Sequence, residues 1–162
     1  MNIIFDIDDI LPQNIYFLEQ KKNIIMDGNF TKLIYSNELF TMNGIYLHFS
    51  IHDFNHDIIM NKNCLQFHPY EPKNTYYVQT LSRIESHILE LYKKTYRCPK
   101  KISTNLSKQL YSGVLKITRD YYADQEKPIH KATKYMIKIS GVWENSEDVG
   151  VTFKLMEIGL DP

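Results

Sequence analysis

"QTLSRIESHILELYKKT", residues 79–95, decides how the rest of the chain is read. Leu81, Ile84, Ile88 and Leu91 recur at steps of three and four, the spacing that lines one face of an α-helix. Lys93 and Lys94 fall where a last turn favours cations, and "RCPKK" (97–101) follows as a stop. Ser82-x-x-Glu85 has the form of a capping box. The spacing predicts a helix over about 79–95.

On both sides of that helix the period is two. "NIYFLEQ" (14–20), "KNIIMDG" (22–28) and "NFTKLIYS" (29–36) read as strands, as does "NGIYLHFSI" (43–51), with Asn-Gly as a turn signal at its start. Residues 52–75 hold Pro69 and Pro72 and read as a long loop. After the helix, "SGVLKITRD" (112–120), "KYMIKISGVW" (134–143) and "VGVTFKLMEI" (149–158) read as strands. "ENSED" (144–148) makes a hairpin loop, and "DYYADQEKPIHK" (120–131) a longer connection. Strands, one helix, then strands does not fit a doubly wound sheet, which needs helices between successive parallel strands. It fits a mainly β fold: a small OB-like antiparallel barrel of five or six strands, spanning 1–162 as one domain.

The formal charge is zero, with 19 basic and 19 acidic residues. The charge is unevenly spread, because residues 80–140 hold 13 Lys/Arg against 5 Asp/Glu and the rest hold 6 against 14. Such asymmetry predicts a basic face on an acidic remainder. Two cysteines, Cys64 and Cys98, make no disulfide framework and suit a reduced, intracellular compartment. No apolar run has the length of a membrane span, and "MNIIFDIDD" lacks the basic start of a signal peptide. Abundant Asn, Ile, Lys and Tyr with scarce Ala suggest an AT-rich genome.

The enzymatic motifs that the chain approaches are incomplete. "IIFDIDDIL" (3–11) has the D-x-D of an aspartyl phosphotransferase. That motif needs Thr or Val two residues after the second Asp, where this chain has Ile10, and it needs a parallel α/β sheet. Ile3–Phe5 is expected to be an edge strand followed by a solvated acidic turn. His48, His52, His56, Cys64 and His68 are zinc-ligand types, but H-x3-H-x3-H suits a helix and not a strand, so no zinc and no other cofactor is expected. No G-x-S-x-G and no glycine-rich phosphate loop is present.

The strongest physical signal is a face. Alternation turns Leu115, Ile117, Ile137, Ile139, Val151, Phe153 and Leu155 inward, which leaves Lys116, Lys138 and Lys154 outward. The same rule leaves Tyr46, His48 and Lys32 outward. Lysines interleaved with aromatics suit single-stranded nucleic acid, where cations track phosphates and bases stack on rings. The bland alternative is ordinary solvation and edge protection. Trp143, at a strand end, fits either a core anchor or a stacking platform. The candidate binding residues are therefore Lys32, Tyr46, Lys116, Lys138, Trp143 and Lys154.

"DGNFTKLIYSNELFTMNGIYL" (27–47) and "KISGVWENSEDVGVTFKL" (138–155) together resemble a family of small proteins of nucleocytoplasmic large DNA viruses. Related viral proteins are similar to the OB-fold single-stranded DNA-binding proteins of podophages. The resemblance implies a non-enzymatic single-stranded DNA-binding protein of viral replication or recombination. It implies viral replication proteins as partners, and a place in the host cytoplasm (viral factory), the nucleus or the virion. It brings no catalytic residues. Phage-type members end in a flexible acidic tail, whereas "MEIGLDP" carries only Glu157 and Asp161, so either recruitment works differently or the function is not replication. A virion structural role, as a minor capsid or scaffold component, is the second reading. Oligomeric state and the choice of DNA or RNA stay open.

Overall fold

The computed structural model describes residues 3–118 and 134–158. The connection expected at 120–131 lies outside them. The chain is mainly β with one main helix, as the change of period predicts. The helix, α1, runs Pro72–Tyr96 and so starts a full two turns earlier than the spacing indicates. Pro72 does not mark a loop. It is the first helical residue, where its fixed φ helps and its missing N–H costs nothing. Arg97 closes the helix in the left-handed conformation, and the Cys98 N–H returns to the Lys93 carbonyl at 3.0 Å.

Val78, Leu81, Ile88, Leu89 and Tyr92 of α1 are fully buried. At about 1.5–3 kcal/mol per large apolar side chain, this face dominates the helix's stability. Three polar side chains share it. Asn74, Glu85 and Tyr92 are separated by 11 and 7 residues, steps that return within about 20° of the same line at 100° per residue. Ser82 and Glu85 form no capping box, since both lie mid-helix. Glu85 instead caps a different helix, α2 (Asn105–Ser112). Its carboxylate accepts the Leu106 N–H at 3.0 Å, the Ser107 N–H at 2.8 Å and the Ser107 hydroxyl.

The expected loop at 52–75 is a correction. It holds a hairpin, strands β5 (Asn55–Ile59) and β6 (Lys62–Gln66), before α1 begins. The two-residue turn is Met60–Asn61, both with positive φ (49° and 61°). That conformation is the one a tight hairpin demands, here without the glycine that signals it. Asn74 staples the base of this segment: its Oδ1 accepts the His52 N–H at 2.8 Å, and its Nδ2 donates to the His52 and His68 carbonyls at 3.1 Å.

In chain order the other strands are β1 (Ile15–Lys22), β2 (Asn29–Ser36), β3 (Thr41–Asn43), β4 (Ile45–His48), β7 (Lys101–Ile102), β8 (Val114–Lys116), β9 (Lys134–Glu144) and β10 (Asp148–Ile158). The described residues thus hold ten strands where five or six were expected. The main sheet follows β1-β2-β9-β10-β7, with β3 on β2 and β4 on β9, and curls into a half-barrel. A smaller sheet, β5-β6-β8, joins it through a parallel bridge between Ile117 and Leu155. β9 is the axis of the fold. It pairs β4 over Met136–Ile139, β2 over Gly141–Glu144, and β10 along its whole length. Ser140 is its one unpaired residue, a bulge that resets the alternation.

Other expectations shift locally. The "KNIIMDG" stretch is the loop between β1 and β2 and not a strand. "NGIYLHFSI" is interrupted at Gly44 (φ 79°), where a Cβ would lie 2.7 Å from the Ile139 carbonyl oxygen. The strand expected at 112–120 is cut to β8, because α2 occupies the residues before Gly113. The ENSED hairpin, and the inward positions of Leu115, Ile117, Ile137, Ile139, Val151 and Leu155, are as expected, while Phe153 is only half-buried beside the bulge.

Glu85→Ala is expected to cost about 2–4 kcal/mol, combining a lost cap with buried N–H donors left unmatched. Urea denaturation measures it, and a loss below about 0.5 kcal/mol would show that α2 does not depend on this carboxylate.

Candidate nucleic-acid interface

The inner face of the half-barrel is filled by the core and α1, so a ligand would meet the outer face. Strand register sets the outward residues in rows, about 7 Å apart along the strands. One row crosses Lys21, Phe30, Trp143 and Gly150. The next crosses Lys32, Gly141 and Thr152. A third crosses Tyr46, Lys138 and Lys154. The parallel bridge of Ile117 to Leu155 extends this third row, because it sets Lys116 beside Lys154. A fourth crosses His48, Met136 and Met156. Beyond Lys116 the third row continues through Cys64 to Asp57, and none of the other positions named in these rows is Asp or Glu.

All six sequence-derived candidates therefore share one face, although Lys116 reaches it from the smaller sheet. Lys32, Lys116 and Lys154 are exposed. Lys138 is half-buried, with its Nζ 5.2 Å from the centre of the Tyr46 ring. Tyr46 is only 7% exposed, so this ring supports the lysine through a cation–π contact and is not bare.

Two other rings lie against the sheet where glycine leaves room. A Cβ at Gly150 would stand 2.4 Å from the Trp143 ring, and one at Gly141 would stand 2.9 Å from Phe30 Cζ and 2.2 Å from the Thr31 carbonyl oxygen. Trp143 and Phe30 are both half-buried. A ring with one side on a glycine keeps its other side for solvent or for a base. Trp143 is thus on the outer face and not in the core.

Lys21 and Phe30 escaped the sequence reading. Phe30 has the same parity as Lys32 in "NFTKLIYS" and was legible from it. Lys21 was not, because an irregularity between Phe17 and Gln20 shifts the β1 register.

Directly beneath Trp143, the next residue, Glu144, turns inward and ties this end of the sheet together. It accepts hydrogen bonds from Lys100 Nζ at 2.5 Å, the Tyr92 hydroxyl at 2.7 Å and Gln20 Nε2 at 3.0 Å. Gln20 also donates to Tyr92 at 2.7 Å, and Lys100 to the Asn145 carbonyl at 2.6 Å. Burial pushes the Glu144 carboxyl up, but the bonds from Lys100, Tyr92 and Gln20 outweigh it and hold the group below its ordinary range. Burial, reinforced by the neighbouring carboxylate, pushes the Tyr92 phenol up. Every member has a partner, so the network anchors the hairpin under Trp143.

The fold and face define a mainly β half-barrel with a lysine- and aromatic-lined outer surface. Compared with protein-family models, curated proteins and solved structures, the chain matches none. Among the described residues, no group of three His, Cys, Asp or Glu side chains converges as a metal site, and no helix is long and apolar enough to cross a membrane.

A carboxyl depressed in the folded state stabilises it above the ordinary carboxyl range and loses that contribution as pH falls through the folded value. Glu144→Gln should therefore be destabilising by about 1–3 kcal/mol at neutral pH. The gap between wild type and variant should narrow as pH falls below the ordinary carboxyl range. Thermal melts across that range measure it; a gap that does not change with pH would show that the charge of Glu144 is not what stabilises the hairpin.

Proposed function

We propose that this protein is a non-enzymatic, OB-like single-stranded DNA-binding protein, with the strand lying across the outer face of the half-barrel. The observation that carries this reading is the pairing of two adjacent patterns. Lys116, Lys154 and Lys138 form one outward row, with Asp57 as its acidic end beyond Lys116 and Cys64, and Trp143 and Phe30 lie on glycines two rows away. Strands are about 4.8 Å apart, so the three lysines cover about 10 Å of sheet, a reach suited to successive phosphates. Rings that lie on a sheet can stack only on bases whose faces are open. A single strand offers those along its length, and a duplex only at its ends. Lys32 stands between the two patterns and would bind the phosphates linking them.

The setting proposed with this chemistry is replication or recombination in a large DNA virus, alongside viral replication proteins, in the host cytoplasm or nucleus. That part rests on the resemblance carried by residues 27–47 and 138–155. The second reading, a virion structural component, draws on large apolar side chains exposed away from the lysine rows, at Leu39 (88%), Ile58 (66%) and Met60 (89%).

Each phosphate contact on a single strand contributes about −0.7 to the slope of log K against log salt. Changing Lys116, Lys138 and Lys154 together to Gln should therefore reduce that slope by about 2 for oligo-dT. Equal affinity and slope in the triple variant, with the fold intact by circular dichroism, would remove the lysine row from binding. Failure of oligo-dT to bind the wild type at moderate salt would favour the structural role.

A further inference from the structure

The loop between β1 and β2 carries "NIIMDG", residues 23–28. Turns of this kind are normally built from Gly, Asn, Asp and Ser. Here Ile24 is 98% exposed, Ile25 92% and Met26 39%. A single exposed apolar side chain needs no explanation, but three in succession at a hairpin tip do. The tip is held in shape: the Asn23 N–H donates to the Gly28 carbonyl at 2.9 Å, and Asn23 Oδ1 accepts the Ile25 N–H at 3.0 Å. Its return leg is pressed onto the β9–β10 hairpin, since a Cβ at Gly28 would fall 1.8 Å from the Glu144 carbonyl oxygen.

Place in the fold gives the tip its meaning. The last pair of the β1–β2 ladder is Lys22 with Asn29, one step beyond Lys21 with Phe30. The tip therefore projects just past the Phe30–Trp143 row, with Lys21 and Lys22, both exposed, at its root. A strand leaving the ring row would meet isoleucines with Lys21 and Lys22 on the outgoing leg and the exposed Asp27 on the return leg. We infer that this hairpin is a wedge that caps the end of a duplex, so that the ligand is a junction between single-stranded and double-stranded DNA. The terminal base pair of a duplex presents a flat apolar face, and apolar side chains at base steps are a general device for engaging one. The two lysines would hold the phosphates on either side of it. This inference rests on the single-strand reading of the outer face and adds the structure of the preferred DNA to it.

The test uses the full chain with fluorescently labelled oligo-dT, a hairpin duplex carrying an oligo-dT tail, and anionic phospholipid vesicles. The wild type should bind the tailed duplex about tenfold more tightly than oligo-dT alone, the gain expected from partly burying two isoleucines. Ile24→Ser combined with Ile25→Ser should abolish that preference and leave oligo-dT affinity unchanged. Because both side chains are exposed, the variant should melt with the wild type. If oligo-dT binds but the wild type shows no preference for the tailed duplex, or the double variant keeps it, the wedge is wrong and the outer-face reading stands. If neither DNA binds, the outer-face reading fails and the wedge with it. Vesicle binding that depends on Ile24 and Ile25, without a junction preference, would overturn the wedge in favour of a membrane-inserting tip.

Discussion

Glu85 is fully buried, and its carboxylate is committed to the first backbone donors of α2. A buried carboxylate with fewer partners would be costly, so the position of α2 against α1 is tightly constrained. The same line of α1 makes two further commitments. Asn74 holds both ends of the segment containing the β5–β6 hairpin, and Tyr92 reaches Glu144 at the end of β9. Tyrosines beside that line add to the grip: Tyr77 donates to the His48 carbonyl, Tyr96 to the Leu18 carbonyl and Tyr76 to Asp8. One helix thus fixes the smaller sheet, the second helix, the N-terminal turn and the long central hairpin, all from the inner side.

The outer face is a consequence of that arrangement. With α1 and the core on the inner side of β9 and β10, their outward positions hold Lys138, Lys154, Gly141, Gly150 and Trp143 together with Met136, Thr152 and Met156. The Ser140 bulge matters here, because it turns Val142 and Glu144 inward and Trp143 outward. Without it, strict alternation from Ile137 and Ile139 would aim Trp143 into the core. Glu144 then anchors Trp143 from below, so the ring most suited to stacking sits on the most heavily hydrogen-bonded end of the sheet. A ring held in this way is pre-organised, and pre-organised sites lose less affinity to ordering costs.

What the sequence made legible follows from periodicity. The helix core at Leu81–Leu91 and the lysines 116, 138 and 154 obey simple patterns, and the structure places them accordingly. What it hid depends on partners far along the chain or on turns without their usual residues. α2 has only Leu106 and Leu110 as an apolar stripe, and its cap is supplied by Glu85, 21 residues away from Leu106. The β5–β6 hairpin turns on Met60–Asn61, which carries no glycine. Lys21 is hidden by the β1 irregularity, and the burial of Tyr46 by a cation–π contact that no spacing reveals. Of the candidate face, the lysines other than Lys21 were readable from alternation, and the aromatic residues only in part.

In the proposed function, single-stranded DNA lies on the outer face with a base against Trp143. Trp143 is the single tryptophan of the chain, so its emission reports that position alone. Titrating the protein with labelled oligo-dT, while following both label anisotropy and tryptophan emission, tests the claim directly. Emission should be quenched in step with the rise in anisotropy, and both curves should shift to weaker binding as salt is raised. Oligo-dT that binds by anisotropy while Trp143 emission stays unchanged would contradict it.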